Sequence, residues 1–159
     1  MVSQADPAFS KQQVEDMKEA LTEELFETTI ISAALSATGS SIIFVAPKKC
    51  TITSIKMGVT TSVAAHADNH WTIAVANQTG DAALLSSSFS SDSDVATTSN
   101  GSRAFTADVL LSLNNNGTNE FLQNADLAAG DILILTATKA ASAANLVNCV
   151  AQVKFKAVD

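Results

Sequence analysis

Two hydrophobic periods divide this chain. Near its start Val14, Met17, Leu21 and Leu25 recur at steps of three and four, the spacing that lines one face of a helix. Ser10 with Gln13 makes a capping-box pattern, and Phe9 with Val14 a hydrophobic staple, two signals of a helix start. A helix over residues 11–27 is therefore predicted. Glu15, Glu19, Glu23 and Glu27 follow one another at four-residue steps along it. Like charges at that spacing repel mildly, so the acidic stripe is either a solvated face or a surface meant for a basic neighbour. The apolar stripe requires cover in either case.

From Thr28 onward the period falls to two. β-branched runs occupy Thr28–Ile31 and Ser40–Val45 on either side of Gly39, and Pro47-Lys48-Lys49 makes a turn. In the next run Thr53, Ile55, Met57 and Val59 share one parity and are expected to face a core, with Ile52, Ser54 and Lys56 on the other. Trp71, Ile73 and Val75 alternate with Thr72, Ala74 and Ala76 before the turn signal Asn77-Gln78-Thr79-Gly80. Ala83–Leu85 predicts a short strand. Residues 86–100, rich in Ser, Asp and Thr with Phe89 and Val95 as anchors, read as a long loop or a pair of short edge strands. Phe105, Ala107, Val109 and Leu111 alternate again, and Asn114-Asn115-Asn116-Gly117 predicts a turn. The continuous run Ile132–Thr136 fits a central strand covered on both faces. Ala137–Ala144 reads as a loop or short helical piece, and Val147, Cys149, Ala151, Val153 and Phe155 share the parity of a last strand.

Six to eight short strands joined by Gly, Asn and Asp turns predict an all-β fold: a jelly-roll-like β-sandwich over 29–159, preceded by an arm with an amphipathic helix over 1–28. The 159 residues suffice for one hydrophobic core.

Charge and composition narrow the function. The net charge is −7, and the first 27 residues hold seven acids against two lysines. No basic cluster exceeds Lys48-Lys49, which disfavours nucleic-acid binding. The start has neither the basic lead nor the apolar run of a secretory signal, and no run is long enough to span a bilayer. A soluble protein made in a cytoplasm, with no membrane partner, is expected. Asn77-Gln78-Thr79, Asn100-Gly101-Ser102 and Asn116-Gly117-Thr118 then read as turns rather than glycosylation sites. Ala, Ser and Thr supply 61 residues, Tyr is absent and Trp71 is the one tryptophan. Such small, weakly charged side chains suit a covered or repeated surface better than a reactive cleft.

Candidate chemistry is sparse. His66, Asp68 and His70 alternate, so an extended backbone would aim them the same way, and two imidazoles with a carboxylate are a possible metal set. The competing reading is polar trim at a strand's start, and no metal or other cofactor is expected. Cys50 and Cys149 read as two buried free thiols; neighbouring first and last strands could let them pair, which spacing alone does not show. No GxSxG elbow, GxGxxG or GxxxxGK loop occurs, and Asp92-Ser93-Asp94 has too few oxygen ligands for a calcium loop. An enzyme is not expected. Trp71 fits a core position better than a ligand-stacking one. Arg103, the only arginine, is either solvated or a contact for a neighbouring subunit's carboxylate.

Ile43-Phe44-Val45-Ala46-Pro47 followed by Cys50-Thr51-Ile52-Thr53-Ser54-Ile55, then Trp71-Thr72-Ile73-Ala74-Val75-Ala76-Asn77, then Leu127-Ala128-Ala129-Gly130-Asp131-Ile132-Leu133, resemble the β-sandwich decoration or cement proteins of tailed-phage capsids over about residues 40–153. The resemblance implies a homotrimer on the virion surface that clamps neighbouring copies of the major capsid protein and stabilises the phage head. It carries no catalytic residue and leaves out the helical segment. That segment's Val14, Met17, Leu21, Leu25, Glu15, Glu19 and Glu23, with Arg103, are the candidate partner-binding residues. Two other readings stay open: a head-fibre, tail or host-recognition module using loops 86–103 and 114–119, and a small cupin-like metalloprotein using His66, Asp68 and His70.

Overall fold

The computed structural model describes residues 25–94 and 99–158. Val95 and most of the expected helix, with Val14, Glu15, Met17, Glu19, Leu21 and Glu23, lie outside the described residues. The helix does not extend to residue 27, because Leu25–Glu27 open a strand. That strand, β1 (Leu25–Leu35), pairs antiparallel with β10 (Leu146–Ala157), Leu25 opposite Phe155 and Leu35 opposite Leu146. The sheet thus includes Leu25–Thr28, which the sequence assigns to the arm.

The other long strands are β2 (Gly39–Val45), β3 (Cys50–Gly58), β4 (Trp71–Asn77) and β9 (Ile132–Lys139). Four two-residue strands complete the described fold: β5 (Ala82–Ala83), β6 (Phe89–Ser90), β7 (Leu111–Ser112) and β8 (Asp126–Leu127). They form two antiparallel five-stranded sheets. The first runs β1-β10-β3-β7 with β8 also on β3, and the second β2-β9-β4-β5 with β6 also on β4. The fold is an all-β sandwich, as expected.

Alternation places the core. In β4, Trp71, Ile73, Val75 and Asn77 are buried while the residues between them are half-buried. The inner faces meet through Phe44 and Phe155, with ring centroids 4.9 Å apart. Phe89 and Phe105 make an edge-on pair at 5.0 Å.

Bulges change the expected parity in two strands. The β3–β10 register slips between Lys154 and Phe155, opposite Thr53. Ile52 is consequently buried along with Ile55 and Met57, and Thr53 is not. In β2 the register slips between Ile42 and Phe44, so Ile43 and Phe44 both point inward. An extra residue on one strand reverses the facing of everything beyond it. In β10 Leu146 is buried rather than Val147, with Asn148 in the left-handed region at φ 49° between it and Cys149.

Two further expectations are corrected. Phe105–Leu111 is not a continuous strand: Phe105 and Ala107 make single bridges to Val63 and Val59, and Asp108 turns the chain at φ 59°. Val109 and Leu110 are left about half exposed. Ala137–Lys139 continue β9 instead of starting a loop.

Cys50 and Cys149 are free and buried. They sit at opposite ends of the β3–β10 ladder, since Cys50 faces Ala157 while Cys149 adjoins Val150, the partner of Gly58. Burial pushes the Cys149 thiol up to about 11, against a smaller opposite effect of the Leu35 backbone. Burial raises Cys50 too, helped by the Asp131 and Asp126 carboxylates. A thiol with a raised folded pKa keeps its proton in the native state while the unfolded chain has already lost its own. Stability is then intact below the unfolded pKa, near 8.5, and falls as pH climbs toward the folded value. For Cys149 the expected slope between pH 9 and 11 is up to about 1.4 kcal/mol per unit. Urea titrations across that range check it, because Cys149→Ala should flatten the slope relative to the parent.

Candidate interaction surfaces

The histidine segment is a turn, not a strand. His66 Nδ1 accepts the backbone N–H of Asp68 at 3.0 Å and of Asn69 at 3.1 Å, which wraps the chain around the imidazole. His70 Nδ1 lies 2.9 Å from the Ala67 carbonyl, so that nitrogen carries the proton. Its nearest carboxylate is Asp92, at 3.8 Å. Both Nδ1 atoms are engaged by backbone, and the extended geometry that would aim His66, Asp68 and His70 together is missing. Among the described residues no three His, Cys, Asp or Glu side chains gather as a metal set.

Arg103 is half-buried. Its Nη1 donates to the Asn115 carbonyl at 2.8 Å and its Nη2 to Asn100 Oδ1. The guanidinium lies 4.9 Å from the centre of the Phe89 ring, and its buried Nε has no hydrogen-bond partner. Burial lowers its pKa from the ordinary arginine value. Arg103 thus fastens loop 99–103 to loop 114–120. A polar hollow of about 250 Å³ opens beside it, lined by Gly101, Ser102, Asn116 and Thr118.

The asparagines that the sequence presents as turn formers do more than turn the chain. Asn100 is fully buried. Asn114, also buried, accepts the Ile55 N–H at 2.8 Å and donates to Glu120 at 2.9 Å. It thereby fills the gap between β7 and β8 along β3, and Leu113 N–H reaches the Ile55 carbonyl at 2.9 Å beside it. Sequence reasoning missed both roles, since Asn-Gly and Asn-Asn-Asn-Gly are turn signals wherever they occur.

The segments that carry the phage resemblance converge on one corner. Ala46 N–H donates to the Asp131 carbonyl at 2.9 Å, and Gly130 N–H to the Ala46 carbonyl at 2.8 Å. Asp131 Oδ2 accepts Asn77 Nδ2 at 2.8 Å and the Ala128 N–H at 3.0 Å. Gly130 holds φ at 87°, a conformation glycine adopts without a Cβ clash. The Asp131 carboxylate thus ties the end of β4 to the turn after β8, while backbone bonds tie the end of β2 to the same turn at the start of β9. Their shared role is architectural.

Beside this corner lies the outer face of the second sheet. Ile42 is paired with Ile134, and Val45 with Ile132; Ile134 is in turn paired with Ala76. Ile42 is 53% exposed and Val45 47%, while Ile132 and Ile134 are half-buried. Among the described residues the apolar run of β9 is thus covered on its inner face only, where the sequence predicts cover on both. The result is a contiguous aliphatic ladder facing outward.

Comparisons with family models, with curated proteins and with solved structures find no match to this chain.

Proposed function

We propose that this chain is a non-enzymatic structural protein of a tailed-phage virion, binding the lattice of major capsid protein as a homotrimer and stabilising the head. The aliphatic ladder of Ile42, Val45, Ile132 and Ile134 carries the reading. Exposed apolar patches on an otherwise polar surface mark contact sites. A partner that binds only the assembled shell stabilises it by mass action with no chemical step, and a symmetric oligomer multiplies weak contacts into avidity.

The finer reading of the sandwich as a jelly roll belongs here as well. Counting β5 with β6 and β7 with β8 leaves eight strands, in the orders 1-8-3-6 and 2-7-4-5. That arrangement supports two interlocked Greek keys, an architecture found in capsid and lectin domains and in cupins. Architecture alone does not select among those functions. The polar hollow beside Arg103 favours the host-recognition reading as the second choice.

The test is reconstitution. Purified protein is expected to run as a trimer and to raise the disruption temperature of shells that lack it. Ile134→Glu with Ile42→Glu should weaken shell binding at least tenfold while leaving the circular dichroism spectrum unchanged. A protein that is absent from finished particles and does not bind shells overturns the proposal.

A further inference from the structure

The only arginine of the chain sits in a loop junction without a counter-charge. Two of its five N–H groups are donated, one to the Asn115 carbonyl and one to Asn100 Oδ1. The buried Nε–H has no partner, and one N–H remains on each outer nitrogen. Among the described residues no carboxylate lies within ion-pair distance of the guanidinium. The direction of its pKa agrees, since burial lowers it and no carboxylate acts against that. A cation partly withdrawn from water and left unpaired carries a desolvation cost that a neighbouring anion would offset.

The hollow that Arg103 lines is polar, with Ser102, Asn116 and Thr118 around it. A second hollow of about 210 Å³ shares Thr118 as a wall and adds Asn115, Asn119 and Glu120. No aliphatic or aromatic residue lines either one. The walls are held before any ligand arrives. Asn116 Oδ1 accepts the N–H of Thr118 at 3.0 Å and of Asn119 at 2.8 Å, and its Nδ2 donates to the Ser99 carbonyl at 3.0 Å. Arg103 is fixed by its two acceptors and by the Phe89 ring beneath it. Groups already ordered lose little entropy on binding. Ser102 is held at φ 60°, an uncommon conformation for a residue with a side chain, and such conformations cluster at ligand sites.

We propose that the two hollows together bind a carboxylated sugar, its carboxylate on the outer N–H groups of Arg103 and its hydroxyls on Ser102, Thr118 and Glu120. The lining selects the ligand. Hydroxyl, amide and carboxylate groups pair with a polyol and offer nothing to a lipid or an aromatic ring. One planar carboxylate matches the guanidinium fork. A doubly charged phosphate is disfavoured by Glu120 nearby and by the net charge of −7.

Titration of the nitrogen-15-labelled full-length chain with D-glucuronate, followed by NMR, tests this. The amide signals of Ser102, Asn116 and Thr118 should shift saturably, with a Kd in the millimolar range. The uncharged methyl ester of the same sugar should bind about tenfold more weakly, the scale of one charge-assisted hydrogen bond. Acetate should also bind about tenfold more weakly, because it reaches Arg103 and leaves the hydroxyl partners unused. Arg103→Ala should abolish binding but also loosens the loops, so a second variant decides. Thr118 is exposed and its hydroxyl makes no hydrogen bond among the described residues. Thr118→Asp sets a carboxylate in the hollow and should weaken glucuronate binding about tenfold with an unchanged circular dichroism spectrum. Equal affinity for the acid and its ester, or for glucuronate and acetate, overturns the proposal. So does the absence of saturable shifts, or undiminished binding by Thr118→Asp. None of these readouts involves shells, so the outcome is independent of the capsid assignment.

Discussion

Trp71→Ala is expected to cost about 3–5 kcal/mol of folding stability, the range for deleting a fully buried large aromatic. Trp71 opens β4 and is completely buried. Its indole N–H donates to the Ala144 carbonyl at 2.8 Å, and its backbone N–H donates to the Ser91 hydroxyl at 2.9 Å. The ring thus fixes the 140–144 turn, which is also held by Ala140 N–H on the His70 carbonyl at 2.9 Å. Alanine removes the aromatic volume and leaves the Ala144 carbonyl without its donor. Trp71→Phe separates the two effects, since it restores most of the volume and none of the hydrogen bond. Its expected cost is about 0.5–1.5 kcal/mol, the net worth of one hydrogen bond, since Ala144 is exposed and water can reach its carbonyl. Domains of this size are stable by roughly 5–15 kcal/mol, so the alanine variant should lose a large share of its stability. Urea unfolding followed by far-UV circular dichroism measures both, because the variants lack the only tryptophan. A cost below 1.5 kcal/mol for Trp71→Ala, within the ordinary scatter of single substitutions, would contradict the packing described.

The same residue shows what the sequence makes legible. β4 is readable because one face meets the core and the other is the half-buried outer face of the sheet, so hydrophobicity oscillates with the side chains themselves. The bulges in β2 and β3 leave no comparable trace. One added residue changes which neighbours face inward without changing composition, and Ile52 accordingly falls in the wrong parity when strict alternation is assumed. The run Ile132–Leu135 fails for a different reason. Continuous apolarity reports that both faces avoid water, but not whether the chain's own residues or a partner's provide the cover. Among the described residues the outer face is open, so the cover that the sequence suggests for it is not provided by any of them. At Phe105–Leu111 the alternation is a coincidence broken by the backbone turn at Asp108.

The candidate sites divide along similar lines. His66-Asp68-His70 has a metal-like spacing only if the backbone is extended, and the hydrogen bonds from Asp68 and Asn69 to His66 Nδ1 hold it in a turn instead. Arg103 stands out in sequence as the only arginine, which points to solvent or a neighbouring subunit, whereas the structure gives it partners within its own chain. A guanidinium over Phe89 and against Asn100 depends on contacts between loops, which local pattern does not encode. Asn100 and Asn114 were visible only as turn formers. Ile42, Val45, Ile132 and Ile134 are all apolar in sequence, but nothing there marks them as one surface. Only the pairing register places them side by side.

Asn100→Ala is expected to cost about 3–5 kcal/mol, comparable to losing the tryptophan although far fewer atoms are removed. Asn100 is buried where loops 86–103 and 114–120 meet. Its Nδ2 donates to the Ser87 carbonyl at 3.0 Å and to the Leu113 carbonyl, and its Oδ1 accepts Arg103 Nη2. Alanine therefore orphans two carbonyls and removes the acceptor from a half-buried cation whose Nε already lacks a partner. Each neutral orphan costs about 1–3 kcal/mol, and a charged one more. Removing one member of a buried charged network is the expensive step. Arg103→Ala should accordingly cost less than Asn100→Ala, because it deletes the charge along with its demand for an acceptor. The double variant should fall short of the sum by about 1–2 kcal/mol, the coupling expected of residues in one network. A denaturant-unfolding cycle over the four proteins measures this directly. Strict additivity would mean that Arg103 and Asn100 do not act through each other, and that each ties the loops together separately, beside the bond from Asn116 Nδ2 to the Ser99 carbonyl at 3.0 Å.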